Sequence, residues 1–391
     1  MTESPLLLLR NADVHAPEPL GHRHLLIGGG KVVWMGPNDP GLSPSLAATT
    51  VDLQGQRLVP GFVDAHVHAS GGGGEAGHAT RVPAPGLSRY TRAGVTSVVS
   101  LLGTDDLARG MPELLAHVYG LREQGLSAWA WCGGYHLPSA TLTGSVRGDI
   151  ALVEPIIGVG ELALSDHRSS QPTLDELLRV ASEAHVGGLM SGKAGVVHLH
   201  LGDGERGLDL VRRALDTSEL PPRVFQPTHV NRRKALFEEA IALARGGSHV
   251  DITAFPVDEG EDAWSAEDAL LRYLDSGAPP QRVSISSDGG GCLPVFDAEG
   301  RVARMDVGDS GALATTLQGL LARGLPLARA LPAFTSNPAT LLRLTGKGRI
   351  AVGMDADLVA LGDDGLPSHV WARGVAMVAQ GTVLRRGMFE H

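Results

Sequence analysis

Apolar and polar positions alternate along this chain in three regimes. Up to about residue 56 the apolar runs are short, as in Leu6-Leu7-Leu8-Leu9, His24-Leu25-Leu26-Ile27 and Lys31-Val32-Val33-Trp34, and clusters of Gly, Pro, Asn and Asp separate them. Such runs read as short strands joined by turns. Gly28-Gly29-Gly30 is a hairpin turn between two of them, and Val51-Asp52-Leu53 with Gly55-Gln56 adds a strand and a turn. From 58 to 345 the pattern becomes strand then helix, repeated. Strands are expected over 58–66, 97–102, 128–133, 156–163, 196–201, 224–229, 249–253 and 283–287. Helices are expected over 112–124, 173–183, 207–217, 233–245, 265–276 and 311–321. Short strands return at 356–361, 369–371, 375–378 and 382–384.

Alternating strands and helices over such a span predict an α/β fold with a (β/α)8 TIM barrel, which typically takes about 250 residues. Neither strand-rich end holds enough strands to bury a core alone. The two ends are therefore expected to form one small β-sandwich domain from 1–57 and 346–391, leaving 58–345 for the barrel.

Composition narrows the partners. A chain of 391 residues, 43% hydrophobic and 19% charged, has ample material for a core. Its net charge of −10 disfavours nucleic acid or an anionic membrane, both of which call for a basic surface. No apolar run is long enough to cross a membrane, and Leu6–Leu9 is too short for an export signal. Cys132 and Cys292 make no disulfide framework. A cytoplasmic location is expected. Lysine is scarce, with only Lys31, Lys193, Lys234 and Lys347.

The polar residues cluster just after the strand ends, where a barrel places its chemistry. The first strand ends in His66-Val67-His68. Residues two apart on a strand share a face, so the two imidazoles project together, as one metal ion requires. Glu161 ends the fourth strand, His200 the fifth, His229 the sixth and Asp288 the eighth. Taken singly, Asp288-Gly289 also reads as a turn, His229 as a local hydrogen-bonding group and Glu161 as a solvated acid. As one set at the top of one barrel, they suit two divalent metal ions bridged by Glu161 and a hydroxide. Histidines with carboxylates suit zinc.

Longer stretches carry a resemblance. These are Pro60-Gly61-Phe62-Val63-Asp64, Gly71-Gly72-Gly73-Gly74-Glu75-Ala76-Gly77, Leu101-Leu102-Gly103-Thr104-Asp105, Gly134-Tyr135-His136-Leu137-Pro138-Ser139, Ser165-Asp166-His167-Arg168-Ser169, Thr228-His229-Val230-Asn231-Arg232 and Ser286-Ser287-Asp288-Gly289. In order and over nearly the whole chain, they resemble the isoaspartyl (β-aspartyl) dipeptidases of the amidohydrolase superfamily. The resemblance implies hydrolysis of the isopeptide bond of β-aspartyl dipeptides by a metal-bridging hydroxide. It implies that His66 and His68 hold a buried metal, that His200 and His229 hold an exposed one, and that Asp288 ligates the buried metal and acts as general base and acid. It further implies Glu75 for the substrate ammonium, Tyr135 for the scissile carbonyl, and Arg168 and Arg232 for carboxylates. Thr104 and position 292 would line the same pocket. A homo-oligomer, such as an octamer, is also implied.

Two departures stand out. Binuclear members of the superfamily commonly bridge their metals with a carbamylated lysine on the fourth strand, but this chain has Gly160-Glu161 there, and none of its four lysines is placed to substitute. Glutamate is the shorter side chain, so the backbone must come closer. The chain is one residue longer here, and Gly160 is expected to form a bulge. The second departure is Cys292, where the resemblance predicts serine. Two other readings stay open: hydrolysis of a cyclic amide, as in dihydroorotases and hydantoinases, and a barrel without activity. Glu75 and the Tyr135 segment count against the cyclic amide, which has no free ammonium.

Overall fold

The apolar run at 57–67 serves two sheets. The expected single strand over 58–66 is two strands, Arg57–Pro60 and Phe62–Val67, with Gly61 between them. Gly61 donates its N–H to the carbonyl of Asp357, and a Cβ there would lie 2.1 Å from the Thr96 hydroxyl oxygen. The chain thus leaves the terminal sheet and enters the barrel at a residue with no side chain. The structure is a computed structural model and describes residues 6–296 and 302–390.

The barrel strands are Phe62–Val67 (β1), Val95–Ser100 (β2), Ser127–Cys132 (β3), Ile156–Leu164 (β4), Val196–Leu201 (β5), Phe225–Thr228 (β6), Val250–Thr253 (β7) and Val283–Ser286 (β8). Strands β1 to β6 form one parallel sheet in chain order, and β7 pairs with β8. Nearly every residue in them is buried, as expected of parallel strands covered on both faces. Helices connect them, the longest being Leu174–Ser191, which extends well beyond the expected 173–183. Its start is fixed by a capping box, in which Thr173 and Glu176 bond each other's backbone N–H, and its end by Gly192 at φ 73°.

The backbone ladder thins at two seams, and buried aspartates stitch both. Between β8 and β1, Asp64 accepts the Ser287 N–H at 3.1 Å and its hydroxyl at 2.5 Å, beside a parallel bridge from Val67 to Gly289. Asp251 on β7 accepts the hydroxyls of Thr228 on β6 and of Ser284 and Ser286 on β8. Burial pushes the Asp64 carboxyl up to about 6 and raises Asp251.

Among the described residues the terminal sheet draws nine strands from both ends of the chain. Leu358–Leu361 pairs antiparallel with Arg57–Pro60, and Leu6–His15 continues from it toward Pro19–Gly28 and Lys31–Gly36. It has its own core, including Leu9, Leu25, Val32, Leu58, Leu358 and Trp371. The fold is thus the TIM barrel with a β-domain built from both termini. A hairpin of Cys292–Phe296 and Val302–Val307, which the apolar pattern does not predict, follows β8. Among the described residues no helix is long and apolar enough to cross a membrane.

Asp251→Ala leaves three buried hydroxyls without their acceptor. We expect a loss of about 3 kcal/mol from the urea unfolding midpoint; a loss below about 1 kcal/mol would show that the seam does not depend on this carboxylate.

Candidate active site

The donor atoms converge where the strands end. His66 and His68 turn their Nε2 atoms toward Asp288 Oδ1, at 3.4 and 3.0 Å. Glu161 faces both sides of the cluster. Its Oε1 lies 3.6 Å from His68 Nε2, and its Oε2 lies 3.6 Å from His66 Nε2, 3.0 Å from His200 Nδ1 and 3.5 Å from His229 Nε2. Two sets of atoms lie close enough to hold one cation each: His66, His68 and Asp288, and His66, Glu161 and His229. His200 falls outside both sets, although its Nδ1 touches the same carboxylate oxygen.

The local backbone explains why a glutamate reaches this position. From β5 to β4 the register steps from Val197–Val159 to Leu199–Leu162, so β4 carries one extra residue. This is the expected bulge. Gly160 forms it at φ 153°, and a Cβ there would lie 2.5 Å from the His198 carbonyl oxygen. His229 and Asp288 are both left-handed, at φ 59° and 54°, a conformation that costs energy outside glycine and gathers at functional sites. Gly291 must also lack a side chain, since its Cβ would meet Asp288 Oδ1 at 2.2 Å.

The electrostatics ask for positive charge. His66, Glu161 and Asp288 are all buried, which by itself disfavours their charged forms. Burial alone would lower His66, but Glu161 and Asp288 outweigh it and raise the imidazole to about 9. Burial likewise opposes ionisation of the two acids, yet their histidine neighbours hold both well below the usual carboxylate range. Among the described residues, His66 Nε2 and Asp288 Oδ1 are buried with no hydrogen-bond partner. Such atoms are expensive in a folded protein unless something ligates them. Nitrogen and carboxylate donors, buried and converging, fit a divalent cation.

Around this cluster lie groups the sequence does not single out. His66 Nδ1 meets His198 Nε2 at 2.8 Å, and His198 Nδ1 meets Gln226 Oε1 at 3.1 Å. The His198 ring stacks on Trp131, with centroids 5.0 Å apart. His229 Nδ1 bonds the Thr253 hydroxyl at 2.8 Å. Partners of this kind fix which nitrogen of a ligand histidine is free. The one sequence signal for His198 is its spacing two before His200, which repeats the period of His66 and His68.

The residues expected to hold substrate ring the same cluster. Glu75 Oε1 is 3.6 Å from Arg168 Nη1, and its Oε2 is buried without a partner. Tyr135 places its hydroxyl 2.9 Å from His200 Nδ1, and the Arg168 guanidinium lies over its ring at 5.4 Å. Burial pushes the Tyr135 phenol well above its ordinary value. Arg232 donates to the Leu201 carbonyl at 3.0 Å and lies 3.2 Å from His200 Nε2. Cys292 contacts Met305 Sδ at 3.2 Å, and burial with the Glu75 carboxylate beside it pushes its thiol up to about 12. Thr104 is half-buried and follows Gly103, where a Cβ would come within 2.9 Å of the His68 ring. The four lysines are engaged elsewhere: Lys31 with Asp355, Lys193 with the carbonyls of Ile150 and Val153, Lys234 with that of Glu261, and Lys347 with Asp357.

Comparison with known proteins gives a consistent picture. The amidohydrolase family profile matches residues 57–377. A beta-aspartyl dipeptidase from Fervidobacterium islandicum AW-1, solved in complex with the dipeptide beta-Asp-Leu, is 38% identical with a TM-score of 0.89, covering 97% of this chain and 98% of that one. A second structure of the dipeptidase from that organism gives 36% and 0.87 over 97% and 98%. A D-hydantoinase shares the fold at 16% identity and a TM-score of 0.69, over 98% and 97%. Among curated proteins, an adenine deaminase of Deinococcus deserti is 28% identical over 372 residues, 91% of this chain. The chain spans 57% of the length of that relative.

Gly160→Ala places a methyl group against His198. The expected result is a protein destabilised by about 1–3 kcal/mol that retains less metal after dialysis than the parent. Parental metal content and parental thermal midpoint together would show that the bulge does not position Glu161.

Proposed function

The chain belongs to the amidohydrolase family and is a metal-dependent hydrolase acting on peptide or amide bonds, and from that membership we propose that it hydrolyses the isopeptide bond of β-aspartyl dipeptides. The observation that carries this reading is the charge pair at the rim of the cluster. Among the described residues Glu75 keeps one buried oxygen without a partner, and Arg168 lies beside it. A dipeptide linked through an aspartyl side chain presents a free α-ammonium and two carboxylates around one amide. Glu75 suits the ammonium, while Arg168 and Arg232 suit the carboxylates, which arginine matches with paired hydrogen bonds. A cyclic amide offers no ammonium and leaves Glu75 without a purpose. The Fervidobacterium enzyme with beta-Asp-Leu supports the same choice.

His66, His68 and Asp288 would hold one divalent cation, zinc by donor type, and His229 a second beside Glu161, where His200, outside the converging sets but 3.0 Å from the same carboxylate, would join it. When bound, such ions polarise the scissile carbonyl and lower the pKa of water toward neutrality. Tyr135 stays a phenol at any physiological pH and donates a hydrogen bond to the carbonyl oxygen as it gains charge, a contribution of about 3 kcal/mol. Asp288 takes the proton of the attacking water and delivers it to the amine nitrogen as the C–N bond breaks. As the ligand shared by both ions Glu161 would be a plain carboxylate, so the site would need no carbon dioxide to assemble.

A dipeptide panel on metal-quantified protein tests the reading. β-Asp-Leu is expected to turn over, α-Asp-Leu and γ-Glu-Leu to be poor substrates, and Glu75→Gln to lose about tenfold to a hundredfold in kcat/KM. Failure of the metal-replete protein to hydrolyse β-Asp-Leu would overturn it.

The bridge has its own test. Apoprotein reconstituted with zinc in bicarbonate-free buffer should recover two ions and full activity, and Glu161→Ala should retain fewer than two. An alanine variant that keeps two metals and full activity would remove Glu161 from the bridge.

A further inference from the structure

Asp166 has no task in the reading above, yet few side chains near the site are more tightly held. It follows β4, and its side chain is only 1% exposed. Oδ1 accepts the backbone N–H of Arg168 at 2.8 Å and its Nε–H at 3.0 Å. Oδ2 accepts Arg168 Nη2–H at 2.6 Å and lies 3.1 Å from His200 Nε2. The contacts through Nε and Nη2 form a two-pronged fork, which fixes the plane of the guanidinium and leaves Nη1 turned toward Glu75.

The same carboxylate sets the state of His200. Nε2 also has guanidinium nitrogens of Arg168 and Arg232 nearby, at 3.4 and 3.2 Å. Each of these nitrogens also donates to an oxygen, Asp166 Oδ2 and the Leu201 carbonyl. With a cation on Nδ1 the ring proton has to sit on Nε2, and there the Asp166 carboxylate, which can only accept, is the acceptor that faces it. Nδ1 lies 3.0 Å from Glu161 Oε2 and 2.9 Å from the Tyr135 hydroxyl, so its lone pair would face a cation held beside that carboxylate.

We propose that Asp166 is a positioning residue that couples the metal centre to the substrate clamp: it presents His200 Nδ1 to the cation beside Glu161 and holds Arg168 in the orientation that receives a substrate carboxylate. This rests on the dipeptidase reading for the roles of His200 and Arg168. Disturbing one carboxylate then weakens both metal binding and substrate binding, whereas disturbing Arg168 weakens substrate binding alone.

Zinc affinity by chelator competition, together with kcat and KM on β-Asp-Leu, separates these effects in Asp166→Asn, Asp166→Glu and Arg168→Met. Asp166→Asn should bind the second zinc about tenfold more weakly or worse and show a raised KM. Arg168→Met should raise KM at unchanged zinc affinity, and Asp166→Glu should recover part of both losses. If Asp166→Asn fails to fold, Asp166→Glu carries the same measurements, with losses in zinc affinity and KM expected together. Parental zinc affinity in the Asp166 variants, or equal zinc loss in Arg168→Met, overturns the coupling. A parental protein that binds no second zinc or leaves β-Asp-Leu intact overturns the functional reading, and the coupling with it. A parental protein that does both, beside an Asp166→Asn that keeps its zinc, overturns the coupling alone.

Discussion

A carboxylate buried among four imidazoles governs the top of this barrel. Glu161 is 1% exposed, and an ionised acid so far from water persists only if positive charge surrounds it. The neighbouring histidines supply part of that charge, and a bound cation would supply it in place of their protons. The same demand reaches outward. His66, His200 and His229 can serve Glu161 and a metal only if their other ring nitrogens are occupied, which accounts for the contacts to His198, Asp166 and Thr253. Each of those partners is buried too.

A bridging group can arrive at a metal pair by a long side chain or by a displaced backbone, and the proposed bridge of this chain, Glu161, sits on a displaced backbone. One extra residue bulges β4 beside β5, and glycine makes the bulge possible because the His198 carbonyl leaves no room for a Cβ. The exchange has a chemical side. A lysine requires a carbamate formed from carbon dioxide, while a glutamate is anionic as soon as the chain is made. The scarcity of lysine, which reads at first as compositional bias, is consistent with a site that does not need one.

Much of this was legible in the sequence because strand geometry is short-ranged. The period of two aligns His66 with His68, and the position of each polar residue in the C-terminal half of an apolar strand or just past it brings Glu161, His200, His229 and Asp288 to the same end of the barrel. The bulge could be read from chain length and a single glycine. Other features depend on which strands become neighbours. Asp166 and Arg168 lie two apart, but nothing local says that the carboxylate also meets His200 on the next strand. His198 looks like one more apolar-strand residue until its ring is seen between Trp131 and His66. The run over 57–67 is apolar throughout, so its periodicity could not reveal that Gly61 divides it between two sheets. The hairpin after β8 was hidden for a related reason: its glycine-rich approach, Gly289 to Gly291, reads as a loop whether or not strands follow.

That division at Gly61 bears on how the protein is made. Synthesis runs from the N-terminus, and domains tend to form as their residues appear. Here Arg57–Pro60 waits for an antiparallel partner, Leu358–Leu361, that emerges only after every barrel strand has been produced. The strand bearing His66 and His68 is joined to that waiting edge through one glycine. The barrel's first strand is therefore tethered to a sheet edge whose antiparallel partner is translated only after all eight barrel strands.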